Sequence, residues 1–236
     1  MVTTLCLLPG LDGTGDLFAP LLCALGPTVR TQVVRYPTHE ELDYGAHEAL
    51  ARRALPTGAP YVLLGESFSG PIAIEIAASA PTDLAGLILV GTFVRNPRPA
   101  LAPLRHVLPL LPMRALPLWL ARLIAMNRDA TQPIMDLHER VMSTVSPRAL
   151  RARLLAVADV DAAAALARVR VPILYLRATH DRLVPRSAGE LVRAVAPRTR
   201  VLDIVAPHML LQCAADETAT AIRNFLASVS DRAGAG

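Results

Sequence analysis

Short apolar runs and longer stretches of helical spacing alternate along the chain. Residues 3–8 are apolar, too short for a helix and stopped by Pro9-Gly10, which predicts a buried strand. Residues 61–64, 84–90 and 173–177 read the same way, 31–36 alternates enough to be a strand ending at Pro37, and 200–205 reads as a strand. The run at 84–90 carries no polar side chain and ends Leu-Ile-Leu-Val, which suits a parallel sheet covered on both faces. Helical spacing fills the intervals. In 16–25, Asp16 is placed to cap the helix and Gly26-Pro27 to stop it; 47–54, 72–79, 187–195 and 216–229 follow. Strands alternating with helices imply an α/β fold, a mostly parallel, doubly wound sheet of about six strands.

The pattern changes over residues 95–160, which are proline-punctuated and helical in period, with no strand. This segment is expected to form a helical cap or lid inserted in a core made of residues 1–94 and 161–236. Residues 107–126 are apolar but carry Arg114, Arg122 and three prolines. Each arginine near a helix centre costs roughly 2.5–3.5 kcal/mol in a bilayer, so no membrane-spanning helix is expected. The first residues lack the basic region of a secretory signal.

Composition narrows the function classes. At 236 residues, 53% hydrophobic and 19% charged, the chain has the makings of a folded core rather than a disordered segment. All 24 basic residues are arginine. The absence of lysine removes a Walker phosphate loop, a lysine Schiff base and a Ser-Lys dyad. A net charge of +4 and 4% aromatic residues argue against a nucleic-acid partner. Cys6, Cys23 and Cys213 form no CxxC pair and read as reduced thiols of a cytoplasmic protein. His39, His47, His106, His138 and His180 show no HExxH or paired spacing, so they are read as structural and no metal site is expected.

Functional residues of such sheets sit in loops at the carboxyl ends of strands. After the third strand comes Gly65-Glu66-Ser67-Phe68-Ser69-Gly70, a strand-to-helix turn in which a serine hydroxyl is pushed out between small neighbours. Asp181 follows the fifth strand and His208 the sixth. Taken singly, these are a helix-cap serine, a turn aspartate and a loop histidine. Together they stand in the order and placement that a serine nucleophile, an orienting carboxylate and a general base require on this fold. A serine hydroxyl needs a neutral imidazole to take its proton, and the carboxylate fixes the imidazole's tautomer. The loop Gly10-Leu11-Asp12-Gly13-Thr14-Gly15 has its glycines in the wrong order for a dinucleotide site. It reads better as an oxyanion loop, the backbone N–H of Leu11 pairing with that of Phe68.

With these residues in place, the chain resembles the α/β-hydrolase superfamily over about residues 4–226. It looks most like small bacterial carboxylesterases, including the pimeloyl-acyl-carrier-protein methyl ester esterases. Pro9-Gly10 resembles the family's His-Gly oxyanion motif, with proline for histidine. Val171-Pro172-Ile173-Leu174 with Asp181-Arg182-Leu183-Val184-Pro185 resembles the acid loop, and Pro207-His208 the histidine loop. Pro9 and Ser69 depart from the pattern. The chain begins at the strand before the oxyanion loop, so two first strands of larger members are not expected. The resemblance implies a hydrolase without a cofactor. Serine at 67 separates it from similar enzymes that use aspartate.

The leading expectation is a serine carboxylesterase cleaving an ester with an apolar acyl chain through an acyl-enzyme. The alternatives are a thioesterase or acyltransferase with the same triad, or a non-catalytic binding protein on a hydrolase scaffold. The substrate is read as a small-molecule or carrier-bound acyl ester. Residues 95–160 hold ten arginines against four acidic residues. Such a basic cap suits an acidic carrier protein or an anionic lipid surface, or is a set of arginines on solvated helix faces.

Overall fold

The computed structural model describes residues 3–100, 103, 126 and 130–234. The six apolar runs become β1 (Thr4–Leu8), β2 (Thr31–Val33), β3 (Tyr61–Glu66), β4 (Leu84–Val90), β5 (Ile173–Ala178) and β6 (Arg200–Ile204). They form one sheet in the order β2-β1-β3-β4-β5-β6, and every pairing is parallel. The helices are α1 (Ala19–Leu25), α2 (Tyr44–Ala54), α3 (Gly70–Ala78), α4 (Gln132–Ser143), α5 (Pro147–Asp159), α6 (Ala163–Leu166), α7 (Arg186–Val195), α8 (Leu210–Cys213) and α9 (Ala215–Gly234).

Strand periodicity splits the core in two. Cys6, Leu8, Leu63, Leu87 and Leu89 point to one face, where Ile72 and Ile76 of α3, Leu166 of α6 and Val192 of α7 cover them. Leu5, Leu7, Leu64, Ile88 and Leu174 point to the other, against Leu21 of α1 and Ile222 and Phe225 of α9. Each face needs apolar side chains, which is why the four inner strands read as near-continuous apolar runs, whereas the edge strands β2 and β6 mix in polar residues.

Among the boundaries that differ from expectation, three lie close to the loops at the carboxyl edge of the sheet. β2 stops at Val33 rather than residue 36, because only β1 pairs with it and the chain then turns so that the Tyr36 N–H donates to Gly13 O at 2.7 Å. β3 runs on to Glu66, held by its pairing with Val90. Asp16 does not cap α1. It begins a 3-10 turn (Asp16–Phe18), and its carboxylate pairs with Arg35 at 2.7 Å.

Between β4 and β5 the described residues form α4, α5 and α6. The chain leaving β4 meets the chain that follows α5: Ala162 N donates to Val94 O at 2.8 Å and Arg95 pairs with Asp161 at 2.9 Å. Apart from Met126, the apolar stretch 107–126 falls outside the described residues, as do Arg105, His106 and Arg128. Among the described residues, no helix is long and apolar enough to cross a membrane, and no group of His, Cys, Asp and Glu has a metal-binding arrangement.

Candidate active site

β3 delivers Ser67 into a turn whose tightness is written in its neighbours. Ser67 has φ of 46°, in the left-handed region that costs a non-glycine residue energy. A Cβ at Gly65 would fall 2.7 Å from Ser69 O and 2.8 Å from the Ala73 Cβ. A Cβ at Gly70 would fall 1.9 Å from Thr92 Oγ1, an atom that donates to Ser67 O. Position 69 carries no such restriction. The Ser69 side chain is fully buried and donates to Pro9 O, with Tyr36 Oη at 3.1 Å. Serine at 69 therefore ties the Ser67 turn to the loop after β1, which accounts for this departure from the usual glycine.

The other two sequence candidates arrive from β5 and β6. Ser67 Oγ lies 2.9 Å from His208 Nε2, and His208 Nδ1 lies 2.7 Å from Asp181 Oδ2. The second Asp181 oxygen accepts from the Leu183 and Val184 N–H groups, each at 2.8 Å. Both oxygens of this carboxylate are thus engaged, and its side chain is 5% exposed. Burial opposes the charged form of His208. The charge and hydrogen bond of Asp181, with the charge of Glu66, outweigh it and raise the imidazole above its ordinary value.

Leu11 and Phe68, the expected oxyanion donors, lie in the two segments that the Ser69–Pro9 bond joins. Phe68 is the middle residue of the Ser67–Ser69 turn that leads into α3, where a backbone N–H has no carbonyl of the same helix to reach. Its ring is locked, stacked on Tyr44 at 4.8 Å and edge-on to His47 at 5.1 Å. The loop of Leu11 is braced internally. The Asp12 carboxylate, 2% exposed, accepts from Thr14 N at 2.8 Å, Thr14 Oγ1 at 2.6 Å and Gly15 N at 3.3 Å.

Two residues of the site escape a reading of the sequence. Glu66, next to Ser67, is buried. It accepts from Gln212 Nε2 at 3.2 Å and from the Gly10 N–H. Burial and the neighbouring Asp12 charge push its carboxyl up to about 7. Arg153 of α5, grouped by sequence with the basic residues of the cap, is 1% exposed, so it is unavailable to any partner. Its guanidinium lies against the loop after β1 instead. The one available signal was its position on the apolar stripe formed with Ala149, Ala156 and Val157.

Of the remaining histidines, His47 and His138 are buried, and His39 and His180 are exposed. Apolar side chains flank the triad. Leu17, Met126, Val141 and Met209 form one cluster beside His208. Phe93, Val184 and Ala188 form another, with Val157 and Val160 packed against it.

The fold recurs in solved structures. The enol-lactonase from Burkholderia xenovorans LB400 superposes with a TM-score of 0.83 at 17% identity, over 96% of this chain and 92% of that one. A bromoperoxidase from Bacillus anthracis gives 0.79 at 16% identity, over 96% and 92%. At such identities these likenesses establish the fold alone. The pimeloyl-[acyl-carrier protein] methyl ester esterase of Xanthomonas oryzae pv. oryzae is 27% identical over 95% of each chain. The family described as serine aminopeptidase, S33, matches residues 43–212, which include Ser67, Asp181 and His208. The chain belongs to this family of α/β hydrolases.

Proposed function

We propose that the protein is a serine carboxylesterase that works through an acyl-enzyme, with Ser67 as nucleophile, His208 as general base and Asp181 as its orienting acid. The reaction class is ester hydrolysis. The relay Ser67–His208–Asp181, at 2.9 and 2.7 Å, carries this reading. As Ser67 Oγ attacks the ester carbonyl, its proton passes to His208 Nε2. Asp181 holds the other ring nitrogen in the donor tautomer and stabilises the imidazolium. The carbonyl oxygen, now negative, is received by the N–H groups of Leu11 and Phe68. His208 then gives its proton to the leaving alcohol. A water activated by the same imidazole releases the acid and restores Ser67.

The apolar clusters beside His208 and behind Val184 suit an apolar acyl chain, with α4 and α5 acting as the cap over it. An acyl ester presented by an acidic carrier is the substrate class we favour. It accords with the name of the 27% identical relative and with the exposed Arg140 and Arg148 on those helices. Other cap arginines are already engaged. Arg95 pairs with Asp161, and Arg98 donates to the carbonyls of Leu183 and Arg182. Location in the cytoplasm is part of the same proposal, since the free thiols of Cys6 and Cys23 suit a reducing compartment.

The test is substitution with labelling. A fluorophosphonate should modify Ser67 and no other serine. Ser67→Ala and His208→Ala should each reduce hydrolysis of p-nitrophenyl esters by at least about 10³-fold, because the two act as one unit. Asp181→Asn should lose on the order of 10⁴ in kcat with its melting temperature intact. Activity surviving in Ser67→Ala, or an unlabelled Ser67, would overturn the assignment.

A further inference from the structure

Arg153 makes contacts that belong to the oxyanion loop rather than to its own helix. Nη1 donates to Leu11 O at 2.8 Å and to Asp12 O at 2.7 Å, and Nη2 donates to Pro37 O at 2.8 Å. The loop is shaped around the guanidinium. Gly13 has φ of +72°, and a Cβ there would stand 2.6 Å from Nη1 and 2.7 Å from Cζ and Nη2. The helix that carries Arg153 is fixed at its start on the same stretch of chain. Ser146 N donates to Thr38 O at 2.8 Å, and Ser146 Oγ caps the helix by accepting from Ala149 N at 3.2 Å.

Burying a guanidinium is expensive, and an apolar side chain of similar volume would generally be as stable or more so. What such a side chain could not do is hold three carbonyls. The Leu11 and Asp12 carbonyls belong to the two peptide planes that follow the Leu11 Cα. Pinning both restricts rotation about Leu11, whose own N–H is the proposed oxyanion donor. The opposing charge is local, since the buried Asp12 carboxylate attracts the guanidinium against the penalty of burial.

We infer that Arg153 is a positioning residue for ester hydrolysis: from helix α5 it fixes the loop 10–13 so that the Leu11 N–H points at the developing oxyanion. The inference rests on the serine-esterase reading above. It adds that seating of α5 and completion of the oxyanion hole are one event. Arg153 touches no reacting atom. Its loss should therefore act on the transition state while leaving substrate binding nearly unchanged.

The experiment uses the full chain with Arg153→Ala and Arg153→Lys. It reads kcat and KM for a p-nitrophenyl ester, inhibition by a trifluoromethyl ketone, and the folded fraction by circular dichroism. A lysine supplies charge but cannot span three carbonyls, so both variants should lose kcat by about 10²-fold, the scale of a misplaced catalytic group, with KM within about threefold. Affinity for the ketone, whose tetrahedral adduct uses the oxyanion hole, should fall in step with kcat/KM. Methylguanidinium added to Arg153→Ala should recover part of the lost kcat. Wild-type kcat in a folded variant would overturn the inference. So would a loss that follows the folded fraction alone, or a ketone affinity that stays put while kcat falls. Failure of the esterase reading looks different, since the unsubstituted protein would then neither turn over the ester nor take the fluorophosphonate label.

Discussion

Glu66 holds a carboxyl in a place where ionising is costly. The unfolded chain releases its proton near 4.5, whereas the folded protein keeps it up to about 7. Below pH 4.5 both states are protonated and the side chain carries no penalty. Between about pH 4.5 and 7 the unfolded chain is ionised and the buried group is not, so roughly 3 kcal/mol of stability is lost progressively across that window, at 1.36 kcal/mol per unit, and the loss is complete above 7. Glu66→Gln keeps the shape and an acceptor for Gln212 without the charge. Its melting temperature should therefore gain on that of the unsubstituted protein between pH 5 and pH 8. The Glu66 charge also raises His208, so the acidic limb of kcat/KM should move to lower pH in the variant. A melting difference that is the same at both pH values, together with an unmoved limb, would contradict this account. At this scale the sequence is legible where a residue's role depends on motif. Ser67, Asp181 and His208 meet as their spacing suggested. Arg153 and Glu66 were not legible, because a charged residue looks solvated until the fold buries it.

Elements carry the constraints that single residues obey. The Ser67 turn is squeezed between β3 and β4, and Gly70 is the point of closest approach, with Thr92 filling the space a side chain would need. Gly70→Ala should displace Thr92 and with it the bond to Ser67 O. Overpacking of this kind costs about 1–3 kcal/mol. The melting temperature should drop by several degrees, and kcat should fall as the turn shifts. Gly45→Ala is the control. It lies in the first turn of α2, where a new Cβ would meet only Asp43 Oδ1 at 3.6 Å, and it should be neutral or stabilising. Equal melting temperatures for the two variants would refute the crowding argument. The strands were legible because a two-sided sheet demands apolar runs. The start of α2 was not, since the cap that begins it is Asp43, four residues before the first residue of helical spacing, accepting from Ala46 N at 2.8 Å. The four-residue α6, an alanine run, has too little periodicity to be read at all.

For the whole molecule, a parallel sheet places its loops at one edge, so three distant segments deliver Ser67, Asp181 and His208 to the same place. That much follows from the alternation of strand and helix. How charge is spread over the inserted helices does not, because burial decides which arginines face a partner. Among the described residues, Arg153 is enclosed, Arg151 is half-buried and Arg95 and Arg98 are engaged, while Arg140 and Arg148 stand exposed on α4 and α5. If these steer an acidic carrier, kcat/KM for a carrier-bound acyl ester should fall steeply with added salt. The same constant for a small neutral ester should barely move. At 0.1 M ionic strength, charges more than about 10 Å apart are largely screened, so long-range attraction is the salt-sensitive part. Arg140→Glu with Arg148→Glu should lower the carrier-substrate constant about tenfold at low salt, within the usual range of electrostatic steering, and flatten its salt dependence. The small-ester constant should be unaffected in the same variant. Equal salt dependence for the two substrates, or an unchanged carrier-substrate constant after charge reversal, would leave the inserted helices with only the shaping of an apolar pocket.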